Sequence, residues 1–192
     1  MIAEQKRIIR AQVRARLAAV APAERARRST EAMVRLCSQA EWQEARAVLG
    51  FLPLADELDL SGALRDAIDA GKVVALPRYL PERGVYGAAQ YRGEFLDKGR
   101  FGIAEPPANA PELPLKQLDF VLVPGVAFDG FGGRLGRGKG FYDRLLAEIG
   151  GRKCGVALDE QVVERLPSES HDVPMDFVLT PTRWIAIRRS GH

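Results

Sequence analysis

Apolar positions open the chain at helical spacing. Ile2, Ile9, Val13 and Leu17, with Ile8 beside them, alternate with Lys6, Arg7, Arg10, Arg14 and Arg16, which predicts an amphipathic helix. A second helix is predicted over residues 24–40, with Pro22 near its start, where a fixed φ and a missing N–H are tolerated. The pattern then changes to short apolar runs at 47–52, 73–76, 120–123, 154–158 and 184–187, several ending at proline or glycine as buried strands do. Helical stretches at 60–70 and 141–149 lie between them. This alternation predicts an α/β fold: one domain over residues 1–192, doubly wound, with a mostly parallel sheet, helices on both faces and an N-terminal helical pair. Residues 78–118 are rich in Gly and Pro, with short strand candidates at 85–91, and read as a loop-rich insertion or flap.

Composition narrows the class. Of 192 residues, 46% are hydrophobic and 28% charged, enough for one sizeable core. The net charge of +3 is unevenly spread: residues 1–35 hold nine Lys and Arg against three acids, leaving 19 against 22 elsewhere. A basic N-terminal segment suits nucleic acid, an anionic surface or a small polyanion, and charge alone does not choose. Cys37 and Cys154 are far apart in sequence and His171 and His192 stand in no zinc or triad spacing, so a disulfide framework, a soft-metal site and the commonest hydrolase are not expected. No apolar run approaches a membrane span and residues 1–17 are too charged for a signal peptide, so a soluble, cytoplasmic protein without a membrane partner is expected, with a monomer as the default.

The richest stretch follows the run at 120–123. Residues 132–143 read Gly-Gly-Arg-Leu-Gly-Arg-Gly-Lys-Gly-Phe-Tyr-Asp and precede a predicted helix. Strand, glycine loop and helix suit a phosphate site, because glycines let backbone N–H groups turn toward an anion and the helix adds its positive end. Arg134, Arg137 and Lys139 add full charges. The loop matches G-x-x-x-x-G-K from Gly133 to Lys139, but Gly140 stands where a P-loop needs Ser or Thr, and Phe141 stands where a dinucleotide fingerprint needs glycine. Any magnesium would therefore rely on carboxylates. Asp143 is well placed, although an acid there also simply favours the helix dipole.

Pro124-Gly-Val-Ala-Phe-Asp129, followed by Arg134-Leu-Gly-Arg-Gly-Lys-Gly-Phe-Tyr-Asp143, resembles the signature of the 5-formyltetrahydrofolate cyclo-ligase family. Weaker likeness extends to residues 6–10, 51–59, 76–78, 101–106 and 171–174. The resemblance implies that ATP phosphorylates the formyl oxygen, the neighbouring amine attacks the activated carbon, and phosphate leaves as the methenyl bridge closes. It implies Lys6, Arg10, Arg134, Leu135, Gly136, Arg137, Gly138, Lys139, Gly140, Phe141 and Tyr142 around ATP, with Arg137 and Lys139 catalytic. It further implies Arg137, Gly138, Lys139, Gly140 and Phe141 toward the folate, and Mg2+ on Asp143 and Asp172. Leu54 and Asp59 align with folate-contacting positions, while Glu57 lies close enough to share or replace that role. Phe101 stands where an aromatic could pack on the folate ring, or in the core. Tyr79 and Tyr142 could serve the site or packing.

Two other functions fit the same residues. The basic helix and the loop from Arg134 to Lys139 could meet nucleic-acid phosphates, although a modest net charge and no run of aromatics beside the basic residues speak against it, and no nucleic-acid partner is expected. A kinase-like enzyme with another phosphoryl acceptor is the second.

Overall fold

The computed structural model describes residues 1–93, 96–99, 103–138 and 140–188. Helix α1 (Ile2–Ala18) buries Val13 and Leu17 and packs Ile9 against the core, while Ile2 and Ile8 stay exposed. The buried positions are one i, i+4, i+8 line, so the apolar stripe is narrower than the sequence suggests. Helix α2 (Pro22–Cys37) begins at the proline, as expected, and α3 (Ala40–Glu44) adds Trp42 edge-on to Phe120 at 5.7 Å.

The remaining elements are β1 (Ala47–Leu49), α4 (Ser61–Asp69), β2 (Val73–Leu80), β3 (Val85–Gln90), β4 (Asp97–Lys98), β5 (Ala104–Glu105), β6 (Glu112–Leu113), β7 (Phe120–Pro124), β8 (Ala127–Asp129), β9 (Arg134–Leu135), α5 (Phe141–Ala147), β10 (Arg152–Val156), β11 (Val162–Val163), β12 (Phe177–Leu179) and β13 (Trp184–Ala186). Eight strands form the main sheet in the order β13-β12-β10-β7-β1-β2-β3-β6. The five from β12 to β2 are parallel, and β13, β3 and β6 add antiparallel edges.

Side chains alternate between two cores, as strand geometry requires. Val48, Val74, Leu76, Phe120, Leu122 and Cys154 pack with α1 to α4, and Leu49, Ala75, Val121, Val123 and Val178 pack with α5. The sheet is thus covered on both faces, by four helices against one among the described residues. Burial on both sides explains why these strands read as continuous apolar runs.

Three details depart from the sequence reading. The segment at 78–118 is less an insertion than expected, because β2 runs on to Leu80 and pairs with β3 from Ala75↔Gln90 to Leu80↔Val85, and β6 extends the same sheet. The run at 47–52 ends as a strand at Leu49, and Phe51 and Leu52 leave the sheet. Strand β12 is an addition that the sequence reading lacks.

Candidate active site

In parallel order the central strands run β2-β1-β7-β10-β12, so β1 and β7 are neighbours from which the chain proceeds in opposite directions. Such a reversal leaves a crevice beyond the strands' carboxyl ends, the usual ligand position in open α/β sheets. A cleft of about 450 Å3 lies there. Phe51, Leu52 and Leu54 after β1, Leu76 and Pro77 on β2, and Pro124 and Gly125 at the end of β7 contribute to its lining.

The glycine loop reaches this cleft by a longer route than strand, loop and helix. After β7 the chain makes a β8–β9 hairpin, and only then the loop that ends at α5. Asp129, 2% exposed, organises the turn: Oδ1 accepts the N–H groups of Phe131 at 2.9 Å and Gly133 at 2.7 Å, and Oδ2 accepts that of Leu166 at 2.8 Å. A Cβ on Gly133 would sit 2.6 Å from Asp129 Oδ2, so only glycine fits. Gly138 and Gly140 have φ of 99° and 65°, a region that side chains disfavour.

Arg134, Leu135, Gly136, Arg137, Gly138, Gly140, Phe141, Tyr142 and Asp143 all line the cleft. Lys6 and Arg10 enter from α1, and Glu169, His171 and Asp172 from the segment before β12. Leu54 and Glu57 line the cleft as well. Asp59 does not join them: it is exposed and its Oδ1 accepts the N–H of Ser61 at 2.8 Å at the start of α4. Lys139 and Phe101 lie outside the described residues.

The cations are already paired. Lys6 Nζ donates to Glu169 at 2.8 Å and Asp172 at 3.0 Å. Burial works against the Lys6 charge, yet these two carboxylates hold its pKa above the usual lysine value. Burial likewise opposes the Asp172 charge, but the Glu169 N–H and Lys6 keep that carboxyl below the ordinary range. Arg10 Nε donates to the Gly136 carbonyl at 2.9 Å, and burial with Arg14 nearby lowers its pKa. Arg134, with its side chain 4% exposed, binds Asp143 at 2.5 Å and lies 5.8 Å from the Tyr142 ring centre. Its Nε is buried without a hydrogen-bond acceptor among the described residues. Arg137 Nη2 donates to Asp56 at 2.6 Å and Glu57 at 3.1 Å.

Glu57 is set deep beside the apolar lining, its side chain 10% exposed. Burial pushes its pKa up, against the pull of the Leu54 N–H and Arg137. Burial also raises the Tyr142 phenol, which therefore stays protonated at neutral pH.

Several cleft residues carry no sequence signal strong enough to single them out. Glu105, 6% exposed, accepts the Tyr79 N–H at 2.9 Å and the Tyr86 hydroxyl at 3.2 Å. Tyr86 in turn sets its ring edge-on to Phe141 at 5.5 Å. Glu169, like Glu105, is an ordinary acid in sequence and becomes a site residue only through the fold. Among the described residues no group of three or more His, Cys, Asp or Glu side chains could hold a metal ion, so a divalent cation would depend on oxygens from its ligand as well as Asp143 and Asp172.

Comparison with known proteins identifies a family and a fold. The 5-formyltetrahydrofolate cyclo-ligase family matches residues 2–181. The 5-formyltetrahydrofolate cyclo-ligase of Escherichia coli K12 is 36% identical over 177 residues, covering 89% of this chain and 97% of that protein. The mouse protein of the same name is 28% identical, covering 91% and 92%. The solved structure of Aquifex aeolicus 5,10-methenyltetrahydrofolate synthetase superposes with a TM-score of 0.87 at 33% identity, over 97% of this chain and 95% of that one. A matched family over nearly the whole chain, a shared fold and a cleft built from the signature loop lead to one assignment: the chain belongs to the 5-formyltetrahydrofolate cyclo-ligase family.

Proposed function

We propose that the protein closes 5-formyltetrahydrofolate to 5,10-methenyltetrahydrofolate, converting ATP to ADP and phosphate, with Mg2+ as its metal. The observation that carries this reading is the lining of one cleft by both kinds of surface the reaction needs. Lys6, Arg10, Arg134 and Arg137 offer positive charge, while Phe51, Leu52, Leu54, Leu76 and Pro77 offer an apolar bed beside the carboxylate of Glu57. A triphosphate suits the first and a fused heterocycle with N–H donors the second.

The formyl oxygen attacks the γ-phosphorus and ADP leaves. The neighbouring amine nitrogen then attacks the activated carbon, loses its proton, and phosphate departs as the ring closes. Most of the catalysis in phosphoryl transfer is positioning and charge stabilisation. Arg134, held by Asp143 and the Pro124 carbonyl, is a fixed charge for the phosphates. Arg137, on the glycine loop, reaches the 54–57 turn and is suited to the transferring group, and Lys139 is assigned beside it by family likeness. Leu54 and Gly138 to Phe141 are assigned to the folate on the same ground. Glu57 is the better candidate than Asp59 for the ring donors, since it lines the cleft. Asp143 and Asp172 are assigned to Mg2+ by family likeness; each is paired with a cation, Arg134 and Lys6, which it would share with or exchange for an ion that keeps waters and phosphate oxygens.

Lys6 and Arg10 point into this cleft, which favours a small polyanion over a nucleic-acid backbone as their partner. The test is to mix protein, Mg2+, ATP and 5-formyltetrahydrofolate and follow methenyltetrahydrofolate absorbance together with ADP release, with Arg137→Ala and Asp143→Ala alongside. Nucleotide-dependent product, lost in both variants, is expected. Folded protein that binds ATP but forms no methenyl product sinks the proposal.

A further inference from the structure

The turn after β1 carries two acids side by side in unlike settings. Leu54 and Glu57 close it reciprocally: the Leu54 N–H donates to Glu57 Oε2 and the Glu57 N–H to the Leu54 carbonyl, both at 3.0 Å. Arg25 on α2 pins it from outside, donating to the Ala55 carbonyl at 2.7 Å. Both Leu54 and Glu57 line the cleft, and Asp56, between them and its pinned neighbour, does not.

A single nitrogen of Arg137 serves both acids, with the shorter bond to Asp56, at 2.6 Å against 3.1 Å for Glu57. The guanidinium has five N–H donors in a fixed fork, and a carboxylate can accept two in parallel. With Glu57 as its sole acid, Arg137 would settle on that carboxylate through both prongs. Asp56 draws it aside.

We infer that Asp56 is a positioning residue of the site: by holding Arg137 it keeps the Glu57 carboxylate available to the ring donors of the folate. This rests on the reading of Glu57 as the folate acid given above. The setting supports it twice. Glu57 is buried, so its oxygens have little water to exchange for a ligand, and each acceptor site taken by arginine is one lost to substrate. The 56–137 contact also joins residues 81 apart in sequence, tying the β1 turn to the glycine loop across the cleft mouth.

The experiment compares wild type, Asp56→Asn and Asp56→Glu. Binding of 5-formyltetrahydrofolate is read by titration calorimetry without nucleotide, and KM for each substrate with kcat by turnover. Asp56→Asn should weaken folate binding about tenfold, the worth of one charge-assisted hydrogen bond. Nucleotide KM should move less than about twofold and kcat less than about threefold, because Arg137 remains beside the loop. Asp56→Glu should restore most of the folate affinity, with the melting temperature of both variants unchanged. Folate affinity equal to wild type in Asp56→Asn, or folate and nucleotide constants falling together by one factor, overturns the inference. Failure of the cyclo-ligase reading looks different: wild type itself forms no methenyl product. The calorimetric comparison then still decides, since absent or unaltered folate binding rejects the role of Asp56.

Discussion

Asp129→Asn changes one atom of a buried carboxylate, and the structure says which of its three bonds will break. Oδ1 accepts two N–H groups, from Phe131 and Gly133, and Oδ2 accepts one, from Leu166. Asparagine keeps the oxygen on the pair and turns its NH2 toward Leu166, because the opposite flip sacrifices two bonds for one. The loss is a hydrogen bond to a charged acceptor, about 1.5–3 kcal/mol, with the Leu166 N–H left buried and facing another donor, itself about 1–3 kcal/mol. Partial relaxation makes a net cost of about 3 kcal/mol reasonable, and a chain of this length loses about 2–4 °C of melting temperature per kcal/mol. A fall of roughly 6–12 °C is expected. The damage should be local: Leu166 begins the segment that carries Glu169 and Asp172, so Mg-ATP binding suffers more than folate binding. Calorimetry gives the melting shift, and amide hydrogen exchange reads Leu166 directly. A melting temperature within about 1 °C of wild type, with Leu166 protection intact, would refute the assignment of that bond.

Other perturbations read the remaining parts of the cleft. Lys6→Met removes the cation shared by Glu169 and Asp172, and nucleotide KM should rise about tenfold or more while folate affinity holds; equal changes in both would contradict its place with the phosphates. Glu57→Gln should weaken folate binding at least tenfold. It should also gain stability over wild type as pH rises above the usual glutamate value of 4.5. A raised native pKa means that the native state holds the proton more tightly, so burying the charge penalises folding above that range and not below it. Melting both proteins at pH 4 and pH 7 tests this, and a gap that fails to open argues against a costly buried charge. Asp172 works in the opposite sense: its lowered pKa stabilises the native state above the ordinary aspartate range and is lost as pH falls through the native value, a trend that Asp172→Asn should abolish. Gly133→Ala should destabilise as Asp129→Asn does, since its methyl meets the same carboxylate.

The sheet's centre was legible because strands buried on both faces must be apolar throughout, as residues 120–123 and 73–76 are. Strand β12 was not, since only Phe177, Val178 and Leu179 carry it before Thr180 and Pro181. Pro77 hid the length of β2, for a proline usually ends a central strand, yet here it pairs opposite Ala88 where β3 runs antiparallel. The glycine loop announced itself through composition. Its partners did not: Lys6 meets Glu169 and Asp172 across more than 160 residues, and no local pattern encodes such a meeting. Family likeness put Asp59 at a folate-contacting position with Glu57 close by, and only the turn's closure separates Glu57, which lines the cleft, from Asp59, which accepts the Ser61 N–H at the start of α4.

The joining of α1 to the opposite end of the chain has a consequence for biogenesis. Lys6 leaves the ribosome 166 residues ahead of Asp172. At about 5–20 residues per second that is an interval of roughly 8–33 s in which the first helix has no acidic partner from that segment. The nascent chain can therefore build much of its sheet before its cleft is complete. Ligand capture reports that both ends have come together, and a chain cut before residue 169 would retain β1 to β10 yet lack one wall of the cleft.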